Sequence, residues 1–247
     1  MNEKPIVFSG ELAPLNGFVS AGLISDVLYR LKSGKEATVF CCRAGPAVNS
    51  ELVGAKIYRP NRSFKNDAIY QEGRIVLDTR ARRAVAKKSR FGKAVKANQW
   101  IGHEYDIMQK LYEAGADVPR PIKQDGNAIL MEYIGDQEGP APMLRDVRVT
   151  REEATSLFKQ LIDNVQLLLS CNYIHGDLSA YNMLYWDDKL IVIDFPQVVD
   201  VRQNRHSREL LFRDLENVYR YFSRFGVEAS PRRITDGLWH KFMRGML

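Results

Sequence analysis

The chain reads as an α+β protein with an antiparallel-sheet first half and a helical second half, and three features predict it. In the first half, the short β-branched or aromatic runs "ATVFCC" and "ELVGAKIYR" flank "RAGPAVNS", which has turn chemistry. Beyond residue 150, apolar residues recur at three- and four-residue spacing instead. Between the halves lies "GDQEGPAP", rich in Gly and Pro, which places the seam near residues 133–142. A length of 247 residues suits one large domain or two small lobes with real cores.

The elements follow in order. "LKSGKEATVF" predicts strand, turn and strand. A helix is expected from about Trp100, with Trp100, His103, Ile107, Met108 and Leu111 on one face and Gly115 and Pro119 as the stop. "NAILMEYIG" is a further strand. Thr150 and Glu153 have the spacing of a capping box ahead of a long helix carrying Leu157, Phe158, Leu161, Ile162, Val165, Leu168 and Leu169. "YNMLYW" and "KLIVIDF" form a hairpin around Asp187 and Asp188. Ser207 to Phe225 is helical up to Gly226, and Ser230 with Pro231 opens the last helix. The expected division is an N-terminal extension over 1–27, a sheet lobe over 28–134 with a basic insert at about 60–98, and a helical lobe over 135–247.

Composition narrows the setting. Hydrophobic content of 45% and charged content of 27% are ordinary for a globular protein, and no apolar run reaches the roughly 18 residues a membrane span needs. "MNEKPIVFSGELAPLNG" has charge and Pro where an export signal has an apolar core, so no export and no membrane are expected. Cys41, Cys42 and Cys171 lack the spacing of a disulfide framework or zinc site and read as small apolar residues in a reducing cytoplasm. The net charge of +6 is modest, but its basic residues are clustered.

The chemistry centres on "IHGDLSAYN". Asp177 and Asn182 are spaced as in a kinase catalytic loop, where the Asp orients a substrate hydroxyl and the Asn holds magnesium. Asp194 ends the apolar strand "LIVID", as suits a carboxylate bridging metal to phosphates; taken alone it would read equally well as a turn residue. Lys56, in "GAKIY", stands where a strand lysine grips the α- and β-phosphates, and Glu104 is its expected partner, with Glu72 the alternative. Ser33, Gly34 and Lys35 form a turn able to aim backbone N–H groups at phosphates. His175 is expected to pack behind the loop. Asp214 has two readings, a hydrogen bond to the catalytic-loop backbone or plain helix surface.

"SGKEATVF", "AKIYR", "MEYIG", "HGDLSAYN" and "VIDFPQ", in this order across residues 28–225, resemble the RIO family of atypical protein kinases. The resemblance implies a two-lobed protein-kinase-like fold with a reduced helical C-lobe that lacks an activation loop. It implies ATP and Mg2+ as ligands, with Mn2+ the alternative ion, and a link to maturation of the small ribosomal subunit. Residue by residue, it implies that Ser33, Gly34, Lys35 and Glu36 form the phosphate loop and that Lys56 and Glu104 pair. It likewise gives the adenine hinge to Met131, Glu132, Tyr133 and Ile134, catalysis to Asp177, and metal to Asn182 and Asp194. The departures from ordinary kinases are informative. The phosphate loop has one glycine instead of three, Gly176 stands where many kinases carry an arginine, and Pro196 replaces the glycine after "DF" and should hold Asp194 in one orientation.

Residues 74–96 carry Arg74, Arg80, Arg82, Arg83, Lys87, Lys88, Arg90, Lys93 and Lys96 against the single acid Asp78. This predicts a grip on RNA phosphates or a small ribosomal subunit, with Phe91 or Trp100 to stack, against the alternative of a solvated loop. Ser63 and Ser89 are candidate self-phosphorylation sites. Two rival functions share the motifs: a small-molecule phosphotransferase of the aminoglycoside or choline kinase type, and an ATP-switched assembly factor. The first needs a large helical C-terminal region, for which the sequence after residue 240 leaves little room.

Overall fold

In a computed structural model, residues 7–59 and 90–247 are described, with side chains from residue 101 onward in the second stretch. The described residues form two compact units, one of 7–59, 90–109 and 119–140 and the other of 110–118 and 141–247.

The first unit is built on an antiparallel sheet of β1 (Ile24–Ser33), β2 (Ala37–Ala44), β3 (Leu52–Tyr58), β4 (Pro121–Asp125) and β5 (Ala128–Glu132), in the order β1-β2-β3-β5-β4. Period-two alternation gives the sheet two different faces. One face buries Phe40, Cys42, Val53, Ala55, Ile57 and Leu130 against Leu15 and Phe18, which come from a 3-10 turn (Gly10–Leu15) and the short helix α1 (Asn16–Ser20). The segment read as an N-terminal extension therefore covers one side of the sheet, and β1 itself starts at Ile24. On the other face Ala37, Tyr58 and Ile129 pack with Ile101 of α2 (Arg90–Glu113). Gly45 is required by close approach, because a Cβ there would lie 2.1 Å from the Gly22 carbonyl oxygen.

Helix α2 starts ten residues before the expected Trp100. Lys93, Ala94, Lys96 and Ala97 favour helix by propensity but supply no apolar stripe, which is the signal the sequence reading relied on.

The second unit begins with the C-terminal end of α2 and continues through α3 (Arg151–Ser170), whose Leu157, Phe158, Leu161, Val165, Leu168 and Leu169 are buried. Its start is the capping box read from sequence: the Glu153 N–H donates to Thr150 Oγ1 at 3.2 Å and the Thr150 N–H to Glu153 Oε2 at 2.7 Å. Two residue pairs, β6 (Tyr173–Ile174) with β9 (Val199–Asp200), bracket the loop segments that follow. Between them β7 (Met183–Trp186) and β8 (Lys189–Val192) make the expected hairpin, turning at Asp187 and Asp188 with φ of 50° and 57°, both left-handed as a tight two-residue turn demands. Helix α4 (Ser207–Phe222) tightens into a 3-10 turn through Phe225 and stops at Gly226, whose φ of 82° ends it. Helix α5 (Pro231–Met243) is capped by Ser230 with Pro231 in its first turn.

Candidate active site

In the first unit, Lys56 projects from β3 toward α2 and its Nζ lies 2.7 Å from Glu104 Oε1. The side chains are 12% and 1% exposed, so each charge has lost most of its water and depends on the other. The Tyr58 ring centroid lies 5.1 Å from the same Nζ. Glu104 Oε2 is buried with no hydrogen-bond partner among the described residues. The alternative partner, Glu72, lies outside the described residues, as do Ser63 and Ser89.

The turn from β1 to β2 holds Ser33, Gly34, Lys35 and Glu36. Its groups are partly committed: the Gly34 N–H donates to the Ala37 carbonyl at 2.9 Å, and Ser33 Oγ accepts from Arg59 Nη2 at 2.9 Å. Arg59, whose own N–H donates to the Glu36 carbonyl, is a neighbour of this loop that the sequence reading missed. Gly34 has no positive φ, and a Cβ there would meet only ordinary contact at 3.5 Å. Neither the backbone nor packing requires glycine at this position.

Met131 and Glu132, expected at the adenine hinge, end β5. Glu132 is fixed twice to Arg120, its N–H donating to the Arg120 carbonyl at 2.8 Å and its Oε2 accepting from the Arg120 N–H at 3.0 Å. Tyr133 follows, its hydroxyl 3.0 Å from that of Tyr29, and Ile134 is half-buried. Burial, then the Tyr29 hydrogen bond, pushes the Tyr133 phenol above its usual range, so it acts as a neutral hydroxyl.

In the second unit the loop from His175 to Asn182 is held from below. Buried Asp214 of α4 accepts from the Gly176 N–H at 2.7 Å and the Leu178 N–H at 3.0 Å, and Arg213 donates to the Gly176 carbonyl. Of the two sequence readings of Asp214, the backbone anchor is the one observed. Burial raises its carboxyl above the usual range, opposed by His175, the two N–H donors and Arg213. Gly176 has a φ of 81°, a conformation in which an arginine side chain would be strained. His175 is buried, as expected: its Nδ1 accepts from the Asp177 N–H at 3.3 Å, which assigns the proton to Nε2, 3.2 Å from the Ile193 carbonyl.

Clamped in this way, the loop exposes only Asp177 and Tyr181. Asn182 Nδ2 donates to the Asp177 carbonyl at 2.9 Å and to Asp177 Oδ2 at 3.4 Å. The Asn182 amide oxygen is therefore the atom it has to offer a cation. The Asn182 carbonyl accepts from the Ile193 N–H at 3.0 Å, which sets Asp194 beside it. Asp194 has a φ of 72°, rare for a residue other than glycine, while Phe195 behind it is buried against the His175 ring. Such strain at the end of a strand is the kind that surrounding structure must hold in place, and it concentrates at functional sites. Asp177, Asn182 and Asp194 thus come together in the second unit, and Lys56 with Glu104 in the first. No group of three or more His, Cys, Asp or Glu suited to a metal occurs among the described residues. The set at the loop is two carboxylates and an amide oxygen, hard donors that fit Mg2+ completing its shell with water and phosphate.

Residues 39–234 match the RIO domain. The chain is 32% identical over 228 residues to the RIO-type serine/threonine-protein kinase Rio1 of Haloferax volcanii, covering 92% of this chain and 73% of that protein. To the serine/threonine-protein kinase RIO1 of Saccharomyces cerevisiae it is 29% identical over 236 residues, which is 89% of this chain but 49% of the yeast protein. Among solved structures it resembles the Rio2 kinase-ADP/Mg2+-phosphoaspartate complex from Chaetomium thermophilum, with a TM-score of 0.66, 23% identity, and coverage of 91% of this chain and 65% of that one. That likeness fixes the fold as kinase-like α+β. The chain belongs to the RIO domain family, that of the RIO-type serine/threonine protein kinases.

Proposed function

We propose that the protein is an ATP- and Mg2+-dependent serine/threonine kinase whose main products are its own phosphorylated form and free phosphate. The observation that carries this reading is the pinned Asp177, Asn182 and Asp194 set, together with the buried Lys56–Glu104 pair. Lys56 would neutralise the α- and β-phosphates, and Asp177, exposed at the loop, would take the proton of an attacking hydroxyl or water. Asn182 and Asp194 would hold Mg2+, which supplies charge neutralisation at the phosphates; Mn2+ suits the same oxygen donors. Ser33, Gly34, Lys35 and Glu36 would close over the phosphates, and Met131, Glu132 and Ile134 would contact the adenine.

Asp194 is itself a candidate acceptor, since the Chaetomium Rio2 structure holds a phosphoaspartate with ADP and Mg2+. A carboxylate oxygen would bond to the γ-phosphorus as the bond to ADP breaks, and water would later release phosphate. The reading extends to the cytoplasm and to contact with RNA or a small ribosomal subunit. Its support there is the nine basic residues within 74–96, most of which lie outside the described residues. No described helix is long and apolar enough to cross a membrane.

Thermal unfolding with and without Mg2+ and ATP tests the nucleotide site. At a hundredfold excess over Kd, ATP should stabilise the wild type by about 2.7 kcal/mol. Asp194→Ala should lose the magnesium-dependent part of that gain. Equal stabilisation of both proteins, whatever the magnesium, would remove Asp194 from the site.

A further inference from the structure

Two tyrosines tie the hinge to the far edge of the sheet. Tyr29 lies on β1 and Tyr133 follows β5, yet β2 and β3 lie between those strands. Three strand spacings amount to about 14 Å. The hydroxyls can meet across that span only if both side chains lie extended along one face, over the two middle strands.

The register identifies what lies beneath. Tyr29 pairs with Cys41, Cys41 with Gly54 and Gly54 with Met131, one row across four strands. Directly paired residues share a face, and alternate residues of a strand do too, so Lys56 projects on the same side as Gly54. Tyr133, two residues beyond Met131, shares that face, and its hydroxyl contact with Tyr29 puts the bridge on that side. Cys41 and Gly54 are both buried. Gly54 has no positive φ, and a Cβ there would meet nothing closer than the Glu132 carbonyl oxygen at 3.5 Å. The fold does not demand glycine there. Its missing side chain leaves a flat floor beside the hinge, two residues from Lys56.

We infer that Tyr29 and Tyr133 control access of the nucleobase: the base reaches the Gly54 floor only when their hydroxyl bridge parts. The inference rests on the nucleotide reading above. Tyr133 is 9% exposed and Tyr29 42%, so Tyr29 is the half with room to swing into solvent. Ligands that carry a purine base must open the bridge, and ligands that engage only the phosphate side need not.

Tyr29→Phe and Tyr133→Phe each delete one hydroxyl and keep the ring. Binding of Mg-ATP, adenosine and tripolyphosphate to the full chain is measured for the wild type and both variants, with thermal unfolding to verify the fold. One net hydrogen bond corresponds to about a two- to tenfold change in equilibrium constant. Mg-ATP and adenosine should bind both variants tighter by about that factor, with tripolyphosphate unchanged. Unchanged or weaker binding of Mg-ATP and adenosine would overturn the inference and make the pair a brace. A gain shared by tripolyphosphate would overturn it as well, because it would mark general loosening. If the wild type binds none of the three, the nucleotide reading itself fails and the gate falls with it.

Discussion

Asp214 shows how much one buried carboxylate decides at the catalytic loop. Its two oxygens take the Gly176 and Leu178 N–H groups on either side of Asp177, so the position of the exposed acid is set from within α4. Asp214→Asn keeps the size but offers one acceptor for two donors, and a buried N–H left without a partner costs about 1–3 kcal/mol. The size of that loss should depend on pH. Burial raises the Asp214 carboxyl above its ordinary value of 3.8, so the folded state binds this proton more tightly than the unfolded chain. Its stabilising contribution is then full below the ordinary value and lost as pH rises through the raised one. The Asn variant has no such titration. Urea denaturation from about pH 4 to neutrality should show the gap between wild type and variant narrowing as pH rises. A gap that stays constant would mean that Asp214 titrates alike in both states. The same scale holds what the sequence could not supply. Tyr29 and Tyr133 are 104 residues apart and meet only through sheet order, and the clasp of Arg59 on Ser33 depends on a hairpin register that no local pattern encodes.

At the scale of elements, legibility follows locality. The capping box of α3, the Asp187–Asp188 hairpin and the Ser230–Pro231 start of α5 were all readable, because each signal lies within a few residues and does not depend on the rest of the fold. The first ten residues of α2 were not, since they carry helix propensity without an apolar stripe. The two-residue strands β6 and β9 are too short for any period to show, and they pair with each other across some 25 residues of sequence. The turns over Gly10–Ser20 were likewise invisible, as their structure comes from covering the sheet through Leu15 and Phe18. A locally encoded cap makes a local prediction. Thr150→Ala removes the acceptor for the Glu153 N–H and should cost about 1 kcal/mol of stability, measured by chemical denaturation, with nucleotide affinity unchanged. A loss of affinity equal to that in a site variant would show that α3 does more than support the unit.

For the whole molecule, family membership and site chemistry point the same way. If residues 74–96 grip RNA, replacing Arg80, Arg82, Arg83, Lys87 and Lys88 by neutral residues should flatten the salt dependence of binding. Each lost phosphate contact should change the log-log slope by about 0.7 for single strands. Unchanged affinity and slope would make the segment a solvated loop. The departure from ordinary protein kinases matters more for mechanism. Only twelve residues separate Asp194 from the start of α4 at Ser207, and they include the short β9. A long activation segment has no room there, and an external peptide forgoes the positioning that such a platform gives. Under the proposed function, a water, a serine of the chain itself or Asp194 would then compete as acceptor. The most direct measurement is incubation of the purified chain with γ-labelled ATP and Mg2+, with and without hydroxylamine, beside Asp177→Asn and Asp194→Ala. The account predicts label on the chain or in free phosphate, abolished in both variants, with any acyl phosphate removed by hydroxylamine and any serine phosphate surviving it. Rapid multiple-turnover labelling of generic peptides, with no self-label and no free phosphate, would contradict it.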